Sequence, residues 1–231
     1  PVRDQLRGEA LTIRALSYFD LVRWFGTPFS VDPNAEGVPV VTEFDQNAKL
    51  ARKKVSEVYD RILADLTQAF ALMSGNKSSA VVTKYVARAL QAKVYLYKGD
   101  WANARDAALD VINNGGYTMV SAANFAAYWR NPAPQGAKGE TMFEISLDAA
   151  NNNQTTSLAY MYEQVGYGDL MVSDSLYQLY TATDVRRGLI LAGVRSSLPV
   201  WILNKYSNTN STDKDDVKIL RFSEVVLILA E

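Results

Sequence analysis

The stretch ALQAKVYLYKGDWANARDAALDVINNG, residues 89–115, predicts two helices joined by a very short link. Small residues recur at helical spacing on both sides of Gly99, and Asp100 is a suitable N-cap for a helix that starts at Trp101. Because only Gly99 and Asp100 separate the two helices, we expect an antiparallel helical hairpin. The two predicted helices cover residues 83–99 and 101–113.

Two longer helices precede this hairpin. In the first, about Asp4–Phe25, Leu6, Ala10 and Ile13 open an apolar stripe with three- and four-residue steps. The second, about Val55–Met73, has the clearest stripe in the chain. A last amphipathic helix, residues 219–231, has no stop signal. A chain that stops inside a helix indicates a fragment of a longer protein.

The middle of the chain is rich in loops. Residues 117–215 hold short predicted helices at 121–129 and 173–180 and one alternating segment, 141–147, that predicts a strand. We therefore expect a mainly α fold with tetratricopeptide-like hairpins, a long loop-rich segment and little β structure. A single domain over 1–231 is predicted, with helix pairs over about 4–116 and a final helix cut short.

The composition excludes much of enzyme chemistry. The 231-residue chain has no cysteine and no histidine, which removes thiol nucleophiles, imidazole bases and the common zinc ligands. Its formal net charge of −1 gives no electrostatic basis for binding nucleic acid. No signal peptide or membrane-spanning run is present in the sequence. No cofactor and no metal are expected.

The hairpin at 89–115 resembles a tetratricopeptide repeat. Ala104 and Ala108 lie one turn apart on the inner face of its second helix, after the Gly99-Asp100-Trp101 turn. Repeats of this kind bury their faces only by stacking on neighbours. Most tetratricopeptide proteins are binding scaffolds, so the resemblance implies a binding function without naming the partner.

The whole chain resembles the SusD/RagB family. Short motifs match that family in order, among them Gly8-Glu9-Ala10 and the run from Arg14 to Gly26. The remaining matches lie at 37–40, 55–66, 89–115, 140–145, 173–177, 184–186, 205–206 and 219–231. No single segment is specific, but all of them in order cover nearly the whole chain.

The resemblance implies a mostly helical lipoprotein on the outward face of the bacterial outer membrane in Bacteroidetes. Such proteins bind glycans or other nutrients for polysaccharide utilisation and present them to a SusC-like, TonB-dependent transporter. They are not enzymes. Full members are roughly twice as long and begin with a lipid-modified cysteine, so the resemblance also implies that this chain is truncated at both ends.

Glycan binding needs aromatic faces for the sugar ring and planar polar groups for its hydroxyls. Aromatics on helix stripes or in the helical motifs are assigned to packing: Phe19, Trp24, Phe25, Tyr59, Phe70, Tyr95 and Trp101. The loop-rich segment supplies the candidates instead. The predicted ligand-binding residues are Trp129, Trp201, Tyr162, Tyr160, Asn131 and Asn152.

Two other functions stay open at this level. A glycoside hydrolase needs two carboxylates about 5 to 9.5 Å apart, and the loop-rich segment holds several acids that nothing in the sequence pairs. A tetratricopeptide scaffold that binds only a protein partner would use the loop aromatics for packing.

The arginines at 14, 23, 88, 186 and 221 are expected in ion pairs between helices.

Overall fold

A computed structural model describes residues 2–74, 78–130, 139–163, 165–209 and 215–231. The chain divides into two compact units, and the first consists of residues 1–117 and 220–231. The second consists of residues 118–219. The sequence-based limit between helix pairs and loop-rich segment thus lies at the boundary between the units, while the single domain over 1–231 stays a prediction.

Unit 1 is built from helical hairpins, as the sequence predicts. Helix α1 packs on α2, α2 on α3, and α3 on α4, in chain order. Buried Phe19 and Val22 of α1 and Val58 and Ile62 of α2 belong to this core. The helices span Val2–Phe25 (α1), Val55–Leu72 (α2), Lys84–Lys98 (α3) and Trp101–Asn114 (α4).

The link between α3 and α4 is as short as the sequence requires. Gly99 ends α3 in the left-handed region with φ 73°, a conformation that glycine adopts without steric cost. Asp100 then accepts a hydrogen bond from the backbone N–H of Asn103 and caps α4. The antiparallel hairpin is therefore confirmed.

Ion pairs join the helices of unit 1. Arg14 of α1 donates to both carboxylate oxygens of buried Asp65 on α2, at 2.7 and 2.8 Å. Arg61 donates to the same carboxylate at 2.6 Å. The hydrogen bond to Asp65 is the largest cause that raises the pKa of Arg14. Arg88 of α3 pairs with Asp110 of α4 at 2.8 Å. Arg23 pairs with Asp20 on its own helix, and so not between helices.

The last helix is shorter than predicted. Residues 217–221 form strand β4, Val217–Arg221, and helix α8 covers Phe222–Ala230. The prediction of a helix from residue 219 was wrong there, because β4 pairs with strand β1, Thr141–Ile145, and the pairing overrides the local apolar spacing. Helix α8 packs on α3 and α4, where Lys93 and Glu224 form an ion pair at 2.7 Å.

Three aromatics of unit 1 were wrongly assigned to packing. Trp24 is 78% exposed, Phe25 61% and Trp101 56%. Trp24 lies about 200° around α1 from buried Val22, which places it on the solvent side. Phe25 ends α1, and Trp101 begins α4 before its first inward position. The assignments of Phe19 and Tyr59 to the core are confirmed, since they are 1% and 3% exposed.

Unit 2 holds short elements. Strand β1, Thr141–Ile145, confirms the predicted strand, and β2 and β3 form an antiparallel hairpin that the sequence reading missed. Helices α5 and α7 confirm the two short helices predicted there. The elements are α5 (Phe125–Arg130), α6 (Leu158–Tyr162), α7 (Asp174–Leu179), β2 (Ile190–Arg195) and β3 (Leu198–Leu203), with 3-10 turns at Ala122–Asn124, Gln154–Thr156 and Val185–Leu189.

Among the described residues, regular structure consists of helices and a few short strands, so the mainly α class is confirmed. None of the helices described is both long enough and apolar enough to cross a bilayer.

Candidate functional site

Trp201 of β3 forms an aromatic platform with Tyr177 of α7. The two rings are stacked at 3.7 Å between centroids with only 16° between their planes. The Trp201 indole N–H donates to Asp174 Oδ1 at 2.8 Å, and the guanidinium carbon of Arg187 lies 4.4 Å from the Tyr177 ring centroid. Arg187, Tyr177 and Trp201 thus form a layered group on the surface of unit 2, which we call the Trp201 platform.

Local sequence explains why these side chains meet. The hydroxyl of Ser173 caps α7 by accepting from the N–H of Leu176, which fixes where the helix begins. A backbone hydrogen bond of 2.9 Å from Val172 N–H to the Trp201 carbonyl joins the start of α7 to β3. The indole and Tyr177 rings are therefore positioned by two regular elements rather than by a free loop.

The β2–β3 hairpin sets which way Trp201 faces. Its turn residues Ser196 and Ser197 both have positive φ, 48° and 64°, as a tight type I′ connection requires. Neighbouring strand residues point to opposite faces, so Trp201 lies on the face opposite Val200 and Ile202. Val200 and Ile202 line a small cavity together with Tyr162. Trp201 and Tyr162 therefore do not share one face of the hairpin.

Trp129 lies in the interior of unit 2. It is 4% exposed and belongs to a buried cluster with Tyr128 and Leu189. Lys205 Nζ lies 3.7 Å from the Trp129 ring centroid, and Tyr206 meets the indole edge to face at 6.1 Å. The prediction that Trp129 binds ligand assumed an exposed indole, but neighbouring side chains enclose the ring.

Tyr162 and Tyr160 are half-buried residues of α6. Tyr162 stacks on Tyr206 at 6.2 Å with 24° between the planes, so Tyr206 contacts both Tyr162 and Trp129. Tyr160 meets Tyr167 edge to face at 5.1 Å. The structure thus brings Trp129 and Tyr162 into one aromatic group through Tyr206, while Trp201 belongs to another.

The predicted asparagines are accounted for differently. Asn152 donates through Nδ2 to the carbonyls of Asp148 and Ala149, at 2.8 and 3.2 Å, and accepts through Oδ1 from the N–H of Gln154. Its polar atoms thus hold the loop before α6. Asn131 lies outside the residues that the structure describes.

Arg186 and Asp184 form an ion pair close in sequence to Arg187 of the Trp201 platform. Arg186 donates to both oxygens of Asp184, and this interaction lowers the pKa of Asp184 to about 2. The pair is exposed and local, and its backbone hydrogen bond from Arg186 N–H to Asp184 closes the turn before β2. Arg186 is therefore a turn-forming residue rather than an inter-helix partner.

The acids that a hydrolase would need have structural roles. Glu140 accepts from the backbone N–H of Val120, Asp148 caps its own loop, Asp169 pairs with Arg195, and Asp174 accepts from Trp201. In the ranges that the structure covers, no cluster of three or more acidic side chains has a geometry suited to a metal ion.

Sequence reasoning missed Tyr177, Asp174 and Arg187 around Trp201. A usable signal was present, because Ser173 was a recognisable cap and a helix starting there presents Asp174 and Tyr177 one turn apart. What the sequence did not show was the β2–β3 hairpin that brings Trp201 to that face.

The comparisons with known proteins agree with the fold. Residues 2–96 match a SusD-like family model described as "Starch-binding associating with outer membrane". Over 112 residues the chain is 36% identical to SusD-like protein P2 of Formosa agariphila, which covers 48% of this chain and 21% of that protein.

Solved structures match over nearly the whole chain. A SusD superfamily protein of Bacteroides vulgatus is 30% identical, with a TM-score of 0.87 over 97% of this chain and 53% of its own. Another from Bacteroides thetaiotaomicron is 28% identical, with a TM-score of 0.86 over 98% of this chain and 54% of its own. The chain therefore spans about half the length of these solved relatives and about a fifth of the curated one.

Proposed function

We propose that this chain, which is similar to SusD-like proteins, binds glycan and does not catalyse a reaction on it. The observation that carries the proposal is the Trp201 platform. Its rings are fixed in place before any ligand arrives, so binding does not have to order them.

The platform has the chemistry that a sugar ring needs. Tyr177 occupies one face of the Trp201 indole, and we propose that the C–H face of a pyranose packs on the other. Arg187 lies over the Tyr177 ring and supplies a donor, while Asp174 accepts from the indole through Oδ1 and has its second carboxylate oxygen to accept from a hydroxyl group. Tyr162 and Tyr160 of α6 are proposed as further contacts, and Trp129 as the buried support of Tyr206.

A thermal-shift assay tests the proposal. A ligand that binds only the folded state adds RT ln(1 + [L]/Kd) to stability, so maltoheptaose, cellohexaose or xylohexaose at 100 times Kd adds about 2.7 kcal/mol. We expect Trp201→Ala to reduce the shift, and Trp24→Ala, an exposed tryptophan of unit 1, to keep it in full. A peptide that raises the transition while all three glycans leave it unchanged favours a protein-binding scaffold and contradicts the proposal.

A separate assay tests whether the protein hydrolyses glycans. We expect no new reducing ends when the protein is incubated with the same oligosaccharides, because Asp174 and Asp169 are engaged with Trp201 and Arg195. Sustained release of reducing ends, abolished by Asp174→Asn, would establish a hydrolase instead.

The family description of outer-membrane association supports a proposal about the protein's location and partner. We propose that the native protein faces outward, held by a lipid anchor, and presents glycan to a SusC-like TonB-dependent transporter. Proteinase K added to intact cells should digest it, and it should co-purify with a TonB-dependent barrel. Protection from the protease until the cells are lysed would contradict the outward orientation.

A further inference from the structure

Unit 1 contains an aromatic cleft that the predicted site does not include. The cleft has a volume of about 450 Å³ and lies between the end of α1, residues 27–30 and the turn from α3 to α4. Small-molecule sites occupy about 300–1,000 Å³, so one or two sugar rings fit this size class. Its aromatic lining consists of Phe29, Tyr59, Tyr97 and Trp101.

Two of these rings present surface to solvent. Tyr97 is 44% exposed and Trp101 56%, whereas Tyr59 is 3% exposed and lies beneath them as part of the core. Trp101 takes this position because Gly99 ends α3 and Asp100 starts α4, which leaves the indole at the first position of the new helix. An exposed indole at the edge of a cleft offers a flat surface on which the apolar face of a ligand can pack.

The walls of the cleft are fixed in the free protein. The Arg23 guanidinium lies 4.4 Å from the Phe19 ring centroid and 5.3 Å from that of Tyr97, and it also donates to the Tyr97 hydroxyl at 3.4 Å. Phe19 and Tyr97 meet edge to face at 5.2 Å, and Phe29 contacts Tyr59 at 5.0 Å. A ligand therefore meets rings that are already oriented, which lowers the entropic cost of binding.

The charges at the cleft favour a neutral ligand. Arg23 is paired with Asp20, and Lys98, which lies 5.2 Å from the Phe29 ring centroid, is within 3.6 Å of Asp60. Each cation therefore has its own carboxylate. The polar groups left for a ligand are neutral: the Tyr97 hydroxyl and the hydroxyls of Thr27 and Ser30, which also line the cleft.

We propose that this cleft is a carbohydrate site for a neutral pyranose, separate in its residues from the Trp201 platform. A pyranose has an apolar C–H face and a rim of hydroxyls, which matches exposed rings bordered by neutral hydroxyl groups. The ligand class rests on the proposed function, but the residues and their geometry are independent of it.

The four tryptophans allow both proposals to be tested in one spectrum. Each indole N–H of the ¹⁵N-labelled protein gives a signal, assigned by single Trp→Phe variants. The protein is titrated with methyl α-glucoside, methyl β-galactoside, methyl α-mannoside and methyl β-xyloside up to about 100 mM. We expect saturable movement of the Trp101 signal with at least one of these sugars. Trp24, 78% exposed but outside the cleft lining, reports contact with any exposed indole.

Variants locate the binding. Tyr97→Leu removes the second exposed ring and should raise the Kd read from Trp101 about tenfold. Ser30→Ala changes an exposed hydroxyl with little risk to folding and should raise the Kd several-fold. Trp24→Ala, the matched control, should leave it unchanged.

Each outcome has a defined meaning. Movement at Trp201 without movement at Trp101 overturns the cleft proposal and keeps the proposed function. Movement at Trp101 alone supports the cleft, and movement at neither contradicts both sites. Equal movement at Trp24 and Trp101, or an equal response to N-acetyl-leucine amide, overturns the carbohydrate assignment, because any exposed indole or any apolar ligand would then suffice.

Discussion

Replacing Asp65 by Asn tests whether the buried carboxylate holds α1 to α2. Asp65 is 1% exposed and accepts three charge-assisted hydrogen bonds, two from Arg14 and one from Arg61. Asn keeps the shape and one oxygen, so up to two of the three bonds are lost, at about 1.5–3 kcal/mol each. The side chains of Arg14 and Arg61 are 28% and 34% exposed and partly recover water contacts. We therefore expect a loss of about 3 kcal/mol.

The free energy of unfolding is measured by urea unfolding, followed by far-ultraviolet circular dichroism. In thermal unfolding, a loss of this size lowers the midpoint by about 6–12 °C in a chain of this length. Asp60→Asn is the matched control: it makes the same change on the same helix at a side chain that is 72% exposed, and it should cost less than about 0.5 kcal/mol. If the two variants differ by less than about 0.5 kcal/mol, the carboxylate does not join the helices and the reasoning is refuted.

Three further outcomes are expected. Trp129→Ala should destabilise by about 3–5 kcal/mol in urea unfolding, because it empties a buried cluster; a fully stable variant that loses glycan binding would restore the sequence-based role. Gly99→Ala should cost about 1–2 kcal/mol, since φ is 73° there while the added methyl meets no atom closer than 4.0 Å; an unchanged midpoint would show that the turn relaxes. Asp184, with its pKa lowered to about 2, contributes stability that is present above its ordinary pKa and lost as pH falls through about 2. Carboxyl NMR should show that midpoint and its return toward 3.8 in Arg186→Gln; an unmoved midpoint would exclude Arg186 as the cause.

The helices of unit 1 were predictable because capping and turn residues act locally. Asp100 and Gly99 fix the α3–α4 link through their own backbone and side-chain geometry. Helix α1 was harder, since apolar residues lie on both of its faces. Leu6 and Ile13 fit a helical stripe and are nevertheless 59% and 42% exposed, while Leu11 is buried. Spacing alone does not tell which of two apolar faces meets the core.

The candidate site was predictable only in part, because its contacts are non-local. Trp201 was identified from its irregular surroundings, but its partner Tyr177 lies in a separate element that the hairpin brings to it. The hairpin itself lacked its usual signal, since Ser196 and Ser197 adopt positive φ without glycine or asparagine. Trp129 was predicted to be an exposed binding residue because it lies in the loop-rich segment. The sequence does not show how deeply neighbouring side chains bury a short helix beside a loop.

The division of unit 1 into two stretches of chain bears on the order of events during synthesis. Helix α8 completes the packing of α3 and α4, yet it follows roughly 100 residues of unit 2. At about 5–20 residues per second, the ribosome needs on the order of 5–20 s to make that interval. During this time Tyr117 lacks its stacking partner Phe222, and Lys93 lacks its ion-pair partner Glu224. A nascent chain thus carries an open apolar face on α3 and α4 until α8 emerges, and during this interval that face is available to a chaperone.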